Sequence, residues 1–171
     1  MPRKTEAPEL NLSDPSSDDF EALSRDRVPV RSMTEADLPA IIRVDKKITG
    51  RDRTGFYKRK MSEMLKESGV RVSLVAEVGG EFAGFVMARV DFGEFGRTDA
   101  VAVIDNIGVS PAFAGRDVAR ALLSQLLSNL SSLQVERVTT TVEWDNFALL
   151  GFLKRCGFHP SQRLSFSRRV V

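Results

Sequence analysis

Apolar positions fall into a sparse head and a strongly patterned remainder. Residues 1–27 carry few apolar side chains among Pro, Ser and Asp, and read as a flexible tail. From Val28 the pattern changes. Val28-Pro-Val-Arg reads as a short strand, and Thr34-Glu-Ala-Asp37 as a helix N-terminus with an acidic first turn. Leu38, Ile41 and Ile42 recur at helical spacing, with Pro39 tolerated in the first turn. Thr49-Gly50 interrupts the helix. A second helix is predicted over 53–67, where Phe56, Met61, Met64 and Leu65 make an apolar stripe between Lys and Glu. Val72–Val78 and Phe82–Val90 then read as strands about Gly79-Gly80, a strong two-residue hairpin signal, and Ala100–Val109 adds a third strand to that meander. After Pro111 and Gly115, the spacing of Val118, Leu122, Leu123, Leu126, Leu127 and Leu130 predicts a helix. Arg137–Val142 is β-branched and alternating, hence a strand. Residues 146–156 form a short helix closed by Gly157, and Arg163–Arg169 supplies a last strand.

The element order is β-α-α-β-β-β-α-β-α-β, a mixed α/β layout. Its two β-α-β passages predict parallel pairing in the middle of the sheet. At 171 residues, with 42% hydrophobic and 28% charged, the chain has the size and composition of one folded domain, here 28–171.

Scarcity narrows the chemistry. One Cys (Cys156) and one His (His159) exclude a disulfide framework, a Cys/His zinc cage and a Cys-x-x-Cys redox pair within the chain. Tyr57 and Trp144 are likewise single. With a lone Cys, no apolar run of about 20 residues and no apolar core in the N-terminal Met-Pro-Arg-Lys, the expected location is the cytoplasm, with no membrane partner. The tail is acidic, at net −3 over residues 1–27, and the remainder is +5. An overall +2 is too weak for a nucleic-acid footprint.

Two segments carry a resemblance. Val109-Ser-Pro-Ala-Phe-Ala-Gly-Arg-Asp-Val-Ala-Arg-Ala-Leu-Leu123 and Asn146-Phe-Ala-Leu-Leu-Gly-Phe-Leu-Lys-Arg-Cys-Gly-Phe158 resemble the signature segments of the GCN5-related N-acetyltransferase (GNAT) superfamily. The resemblance spans about residues 28–169 in matching element order. It implies a mostly antiparallel sheet with a central, splayed parallel pair, and transfer of an acetyl group from acetyl-CoA, as cosubstrate, to a small-molecule or peptide amine. A homodimer is compatible with it.

A strand that feeds a glycine-containing turn into a helix N-terminus aims backbone N–H groups outward, where the helix dipole favours an anion. In the family this is the coenzyme A pyrophosphate site. Its pattern, Gln/Arg-x-x-Gly-x-Gly/Ala, falls on Ala114, Gly115, Arg116, Asp117, Val118 and Ala119, with Arg120 following, and of the pattern's defined positions only Ala119 matches. Gly115 keeps the turn tight and Arg116 supplies a cation. Asp117 puts a carboxylate where the family has Gly. It either opposes the pyrophosphate or caps the helix and points outward. The resemblance assigns the acyl slot to the main chain of Ile107, Gly108 and Val109, where Gly108 lets a ligand approach. It also assigns the pantetheine contact to Asn146, which serves equally well as a helix N-cap.

For the general base, strand alternation places Asp105 on the face of Ile107, toward the slot; Glu143 is a second candidate, acting through water. Asp105 is also readable as a strand-edge carboxylate bonded to backbone. The family's general acid is a Tyr where this chain has Leu153, and Tyr57 lies in another helix. Cys156 reads as an apolar filler and His159 as a surface residue. Arg43, Lys46, Lys47, Arg51, Arg53, Lys58, Arg59 and Lys60, against Asp45 and Asp52, form either a solvated face or an acceptor site for an acidic amine. Trp144 either walls the slot or fills core. Two functions follow: an acetyl-CoA-dependent N-acetyltransferase, or a module of the same fold that binds ligand without transfer.

Overall fold

Local chemistry sets the ends of the elements. The computed structural model describes residues 27–66, 72–92 and 99–171, so the tail expected over 1–27 lies, but for Arg27, outside the described residues. The chain divides into two units, Met1–Thr139 and Thr140–Val171. The first contains β1 (Val30–Ser32), α1 (Leu38–Thr49), α2 (Thr54–Lys66), β2 (Leu74–Val78), β3 (Glu81–Asp91), β4 (Val101–Val109), α3 (Val118–Ser132) and β5 (Arg137–Thr140), which ends at the boundary. α1 begins where Asp37 Oδ2 accepts hydrogen bonds from the Thr34 N–H at 2.8 Å and the Thr34 hydroxyl at 3.1 Å. Arg31 neutralises the same carboxylate through contacts of 2.7 and 2.9 Å. The helix ends at Gly50, whose left-handed φ of 68° carries its N–H back to the Lys46 carbonyl.

The expected hairpin forms. Gly79 and Gly80 hold φ of 60° and 81°, the consecutive left-handed pair that a type I′ turn requires, so β2 and β3 pair directly. The sheet order is β1-β2-β3-β4-β5. It is antiparallel through β4, while β5 runs parallel to β4 after the α3 crossover. The mixed α/β, mostly antiparallel fold is thus as expected. Its parallel pair differs in one respect, closing the sheet at its edge instead of its centre, because residues 158–171 form no strand. Leu164 and Phe166 alternate with Ser165 and Ser167 as a strand would, but such a pattern becomes a strand only beside a partner.

Both faces of the sheet are covered. Ile41 and Val44 of α1 and Tyr57 and Met61 of α2 pack with Val75, Phe85 and Met87 on one face. Burying a side chain such as Phe85 contributes about 2–3 kcal/mol. On the other face α3 lies close because β3 has Gly84 beneath it, where a Cβ would come within 2.9 Å of Val118 and 3.4 Å of Leu122.

The second unit holds α4 (Phe147–Arg155). Asn146 caps it, its Oδ1 accepting the Leu149 N–H at 3.3 Å. Gly157, at φ 84°, closes it, with the Phe158 N–H on the Leu153 carbonyl. No helix among the described residues is long and apolar enough to cross a membrane.

Candidate functional site

The irregular stretch of β4 and the turn beyond it carry most of the residues expected to form the site. β3 and β4 pair with a break in register: Met87 faces Asn106, but Ala88 faces Ile104. Asp105 is therefore an extra residue opposite no partner, a β-bulge, which brings two successive side chains toward one face. Alternation from Ile107 fails at this residue. Ile107 pairs with Val86 on the α3 side, whereas Asp105 turns to the α1–α2 side. There it forms an ion pair with Arg89, and Lys60 of α2 stands 3.5 Å away. The Asp105 side chain is 20% exposed, so solvent reaches it.

Asn106, the other bulge residue, meets the one tyrosine. Tyr57 is fully buried, its hydroxyl donating to Asp45 Oδ1 at 2.8 Å and accepting from Asn106 Nδ2. Arg53 holds the same Asp45 through two hydrogen bonds, one from Nε at 2.8 Å. Burial pushes the Asp45 carboxyl up, but hydrogen bonds from Arg53 and Tyr57 and the guanidinium charge outweigh it, leaving Asp45 below the ordinary carboxylate value. Burial and the bond to Asp45 push the Tyr57 phenol well up, so it keeps its proton at neutral pH. Sequence reasoning passed over Asn106. Its signal was a polar residue between Asp105 and the apolar Ile107, readable only once the bulge is known.

Gly108 has a different neighbour from the one anticipated. A Cβ there would meet Phe85 Cε1 at 2.7 Å and Ile48 Cδ1 at 3.4 Å, so its bareness on that side makes room for a core ring. Ile107 and Val109 follow on the α3 face, opposite Val86 and Gly84.

Beyond Val109, Ser110 is tied to β3 by its N–H on the Ala83 carbonyl at 2.8 Å. Pro111–Phe113 make a single 3-10 turn. Gly115 (φ 75°) and Asp117 (φ 58°) are both left-handed, and α3 starts at Val118 with the Ala121 N–H on the Asp117 carbonyl. The N–H groups of the first helical turn therefore have no carbonyl of this helix to bond, the geometry that draws an anion. Ala114, Gly115, Arg116 and Asp117 are exposed, Ala119 and Arg120 half-buried and Val118 buried. Arg116 stacks over Phe113 at 5.8 Å. Asp117 occupies the N-cap position, yet its side chain accepts no bond from the helix, because a left-handed backbone turns it away from those donors.

Of the eight cations on α1, α2 and the link between them, Arg53 and Lys60 turn inward to Asp45 and Asp105. The other six are exposed. In the C-terminal unit Glu143 and His159 are exposed, Cys156 half-buried, Leu153 buried and Trp144 80% exposed, so Trp144 does not fill core. Asn146 spends its side-chain acceptor on the cap of α4. Among the described residues no group of three His, Cys, Asp or Glu could hold a metal ion.

A family model described as the acetyltransferase (GNAT) family matches residues 40–158. The aminoglycoside N-acetyltransferase AAC(6')-Iy, solved with the bisubstrate analogue CoA-S-monomethyl-acetylneamine, superposes with a TM-score of 0.70 at 18% identity, covering 84% of this chain and 99% of that one. The aminoglycoside 6'-N-acetyltransferase AAC(6')-IG from Acinetobacter haemolyticus gives 0.68 at 18% identity, over 83% and 98%. A Trypanosoma brucei acetyltransferase gives 0.64 at 20% identity, over 83% and 99%. At these identities the structures share the fold.

Proposed function

The chain belongs to the acetyltransferase (GNAT) family, and from that premise we propose that it transfers an acetyl group from acetyl-CoA to an amine by direct attack, with Asp105 as the base. The observation that carries this reading is the β4–α3 passage: an open helix N-terminus, entered through two left-handed residues, lies one turn beyond a bulged strand bearing a solvent-reachable carboxylate.

The first-turn N–H groups of α3 and the Arg116 guanidinium suit the diphosphate of coenzyme A. Asp117 works against it and weakens binding without closing the site. The main chain of Ile107, Gly108 and Val109 would receive the acyl arm. Acetyl-CoA brings an activated thioester, so this chain has only to orient an amine and remove its proton. The ammonium gives one proton to Asp105. The freed lone pair forms the N–C bond, the C–S bond breaks, and a second nitrogen proton reaches the departing thiolate through water. Water serves because Leu153 stands at the family's Tyr position and Tyr57 is locked to Asp45. The amine enters by competing with Lys60 and Arg89 for Asp105. We assign the acceptor as a small-molecule or peptide amine, the class to which the aminoglycosides bound by similar structures belong.

Release of CoA on incubation with acetyl-CoA and an amine panel tests the reading. Turnover by the wild type that falls at least tenfold in Asp105→Ala is expected. Tight CoA binding without turnover on any amine would favour the non-catalytic module instead, and absence of both binding and turnover would remove the coenzyme site.

A further inference from the structure

The hydrogen bonds under the β4 bulge have one consistent polarity. Asp45 is 4% exposed and ionised, so its oxygens only accept. The Tyr57 hydroxyl has a single proton, and it goes to Asp45 Oδ1 at 2.8 Å. What the phenol oxygen offers in return is a lone pair, and the group facing it from the bulge is the Asn106 amide. An amide oxygen placed there would meet another acceptor. The nitrogen must therefore face Tyr57, and the planar amide turns Oδ1 away from it. Arg53 fixes the far end of the chain by gripping Asp45 from Nε and a terminal nitrogen, with that terminal nitrogen also 3.3 Å from the Tyr57 oxygen.

The bulge then presents two adjacent acceptors of different kinds, the Asp105 carboxylate and the Asn106 carbonyl oxygen, both on the α1–α2 side and neither fully buried. A primary amine about to attack a carbonyl needs both. One proton must leave, and a remaining N–H must be held so that the lone pair points at the thioester. We propose that Asn106 Oδ1 receives an N–H of the acceptor amine and so aims it, and that Tyr57 and Asp45 are positioning residues that keep the Asn106 amide in the required orientation. This rests on the acetyl-transfer reading with Asp105 as base.

Steady-state kinetics of the full chain with acetyl-CoA and the best amine of the panel test it, using Asn106→Ala, Tyr57→Phe and the double variant, each confirmed folded by thermal melting. Asn106→Ala should lower kcat/KM for the amine about tenfold, the worth of one well-placed hydrogen bond, while KM for acetyl-CoA stays within twofold. Tyr57→Phe should lower the same constant by a smaller factor. The double variant should match Asn106→Ala alone, because Tyr57 acts only through Asn106. Packing damage from Tyr57→Phe would not vanish when Asn106 is removed. Losses that multiply in the double variant overturn the proposal, as does an Asn106→Ala enzyme within twofold of wild type. Those outcomes leave acetyl transfer standing, whereas a wild type inactive on every amine overturns both.

Discussion

Replacing Asp117 separates two ways in which one residue acts on an anion site. The residue sits at the mouth of α3 in a left-handed conformation, exposed and not bonded to the helix. Its charge would oppose a diphosphate held at the proposed coenzyme site: a carboxylate about 6 Å from one phosphate charge in water costs about 0.7 kcal/mol, so two phosphate charges cost about 1.4 kcal/mol, a factor of ten in affinity. Its backbone is a separate matter. The left-handed state costs an L-residue about 1–2 kcal/mol, less for Asp and Asn, and glycine removes that cost while giving back about 0.5–1 kcal/mol of unfolded-state entropy. Asp117→Asn removes the charge and keeps the backbone; Asp117→Gly removes both. Calorimetric titration with coenzyme A at low salt should show both variants binding close to sevenfold tighter than wild type, about 1.1 kcal/mol once a Debye length of about 30 Å is allowed for. At 1 M salt, with a Debye length of about 3 Å, the gain should fall below about twofold. Melting temperature should rise slightly in Asp117→Gly and stay put in Asp117→Asn. A gain confined to the glycine variant, or one indifferent to salt, would refute the electrostatic account.

Gly108→Ala sets a Cβ 2.7 Å from the Phe85 ring, so it should destabilise the fold by about 1–3 kcal/mol in denaturant titration, with partial recovery when Phe85 becomes Leu. Acid should weaken the fold through Asp37 and Asp45. Burial raises each carboxyl, but the bonds from Arg31 and Thr34, and from Arg53 and Tyr57, bring both below their ordinary value. A depressed folded-state pKa gives stability that is complete above the unfolded value of about 3.9 and is lost as pH falls further. Unfolding free energy should therefore decline below about pH 4, and less steeply in Asp45→Asn, measured by urea titration across pH.

What could be read from the sequence and what could not divides along the range of the forces involved. Gly79-Gly80, the Gly50 stop and the Asn146 cap are decided within a few residues, and each forms where the chain says it should. The stretch Arg163–Arg169 has strand alternation but needs an edge to pair with, which no local pattern supplies. Asp105 shows the same limit at the site. Alternation counts residues and presumes an unbroken ladder, so one bulged residue moves the candidate base to the opposite face from Ile107. Tyr57 shows it at longer range. Its place in another helix sets it apart from the family's acid position, and its bond to Asn106, 49 residues away, belongs to the packing of α2 on β4 and to no motif. That bond fixes which end of the Asn106 amide faces outward, and with it the acceptor that the proposed mechanism draws from the bulge. In the proposed transfer the chain's one tyrosine therefore acts from the α1–α2 side of the sheet, where its buried phenol, bonded to Asp45 and to Asn106, holds an amide in place.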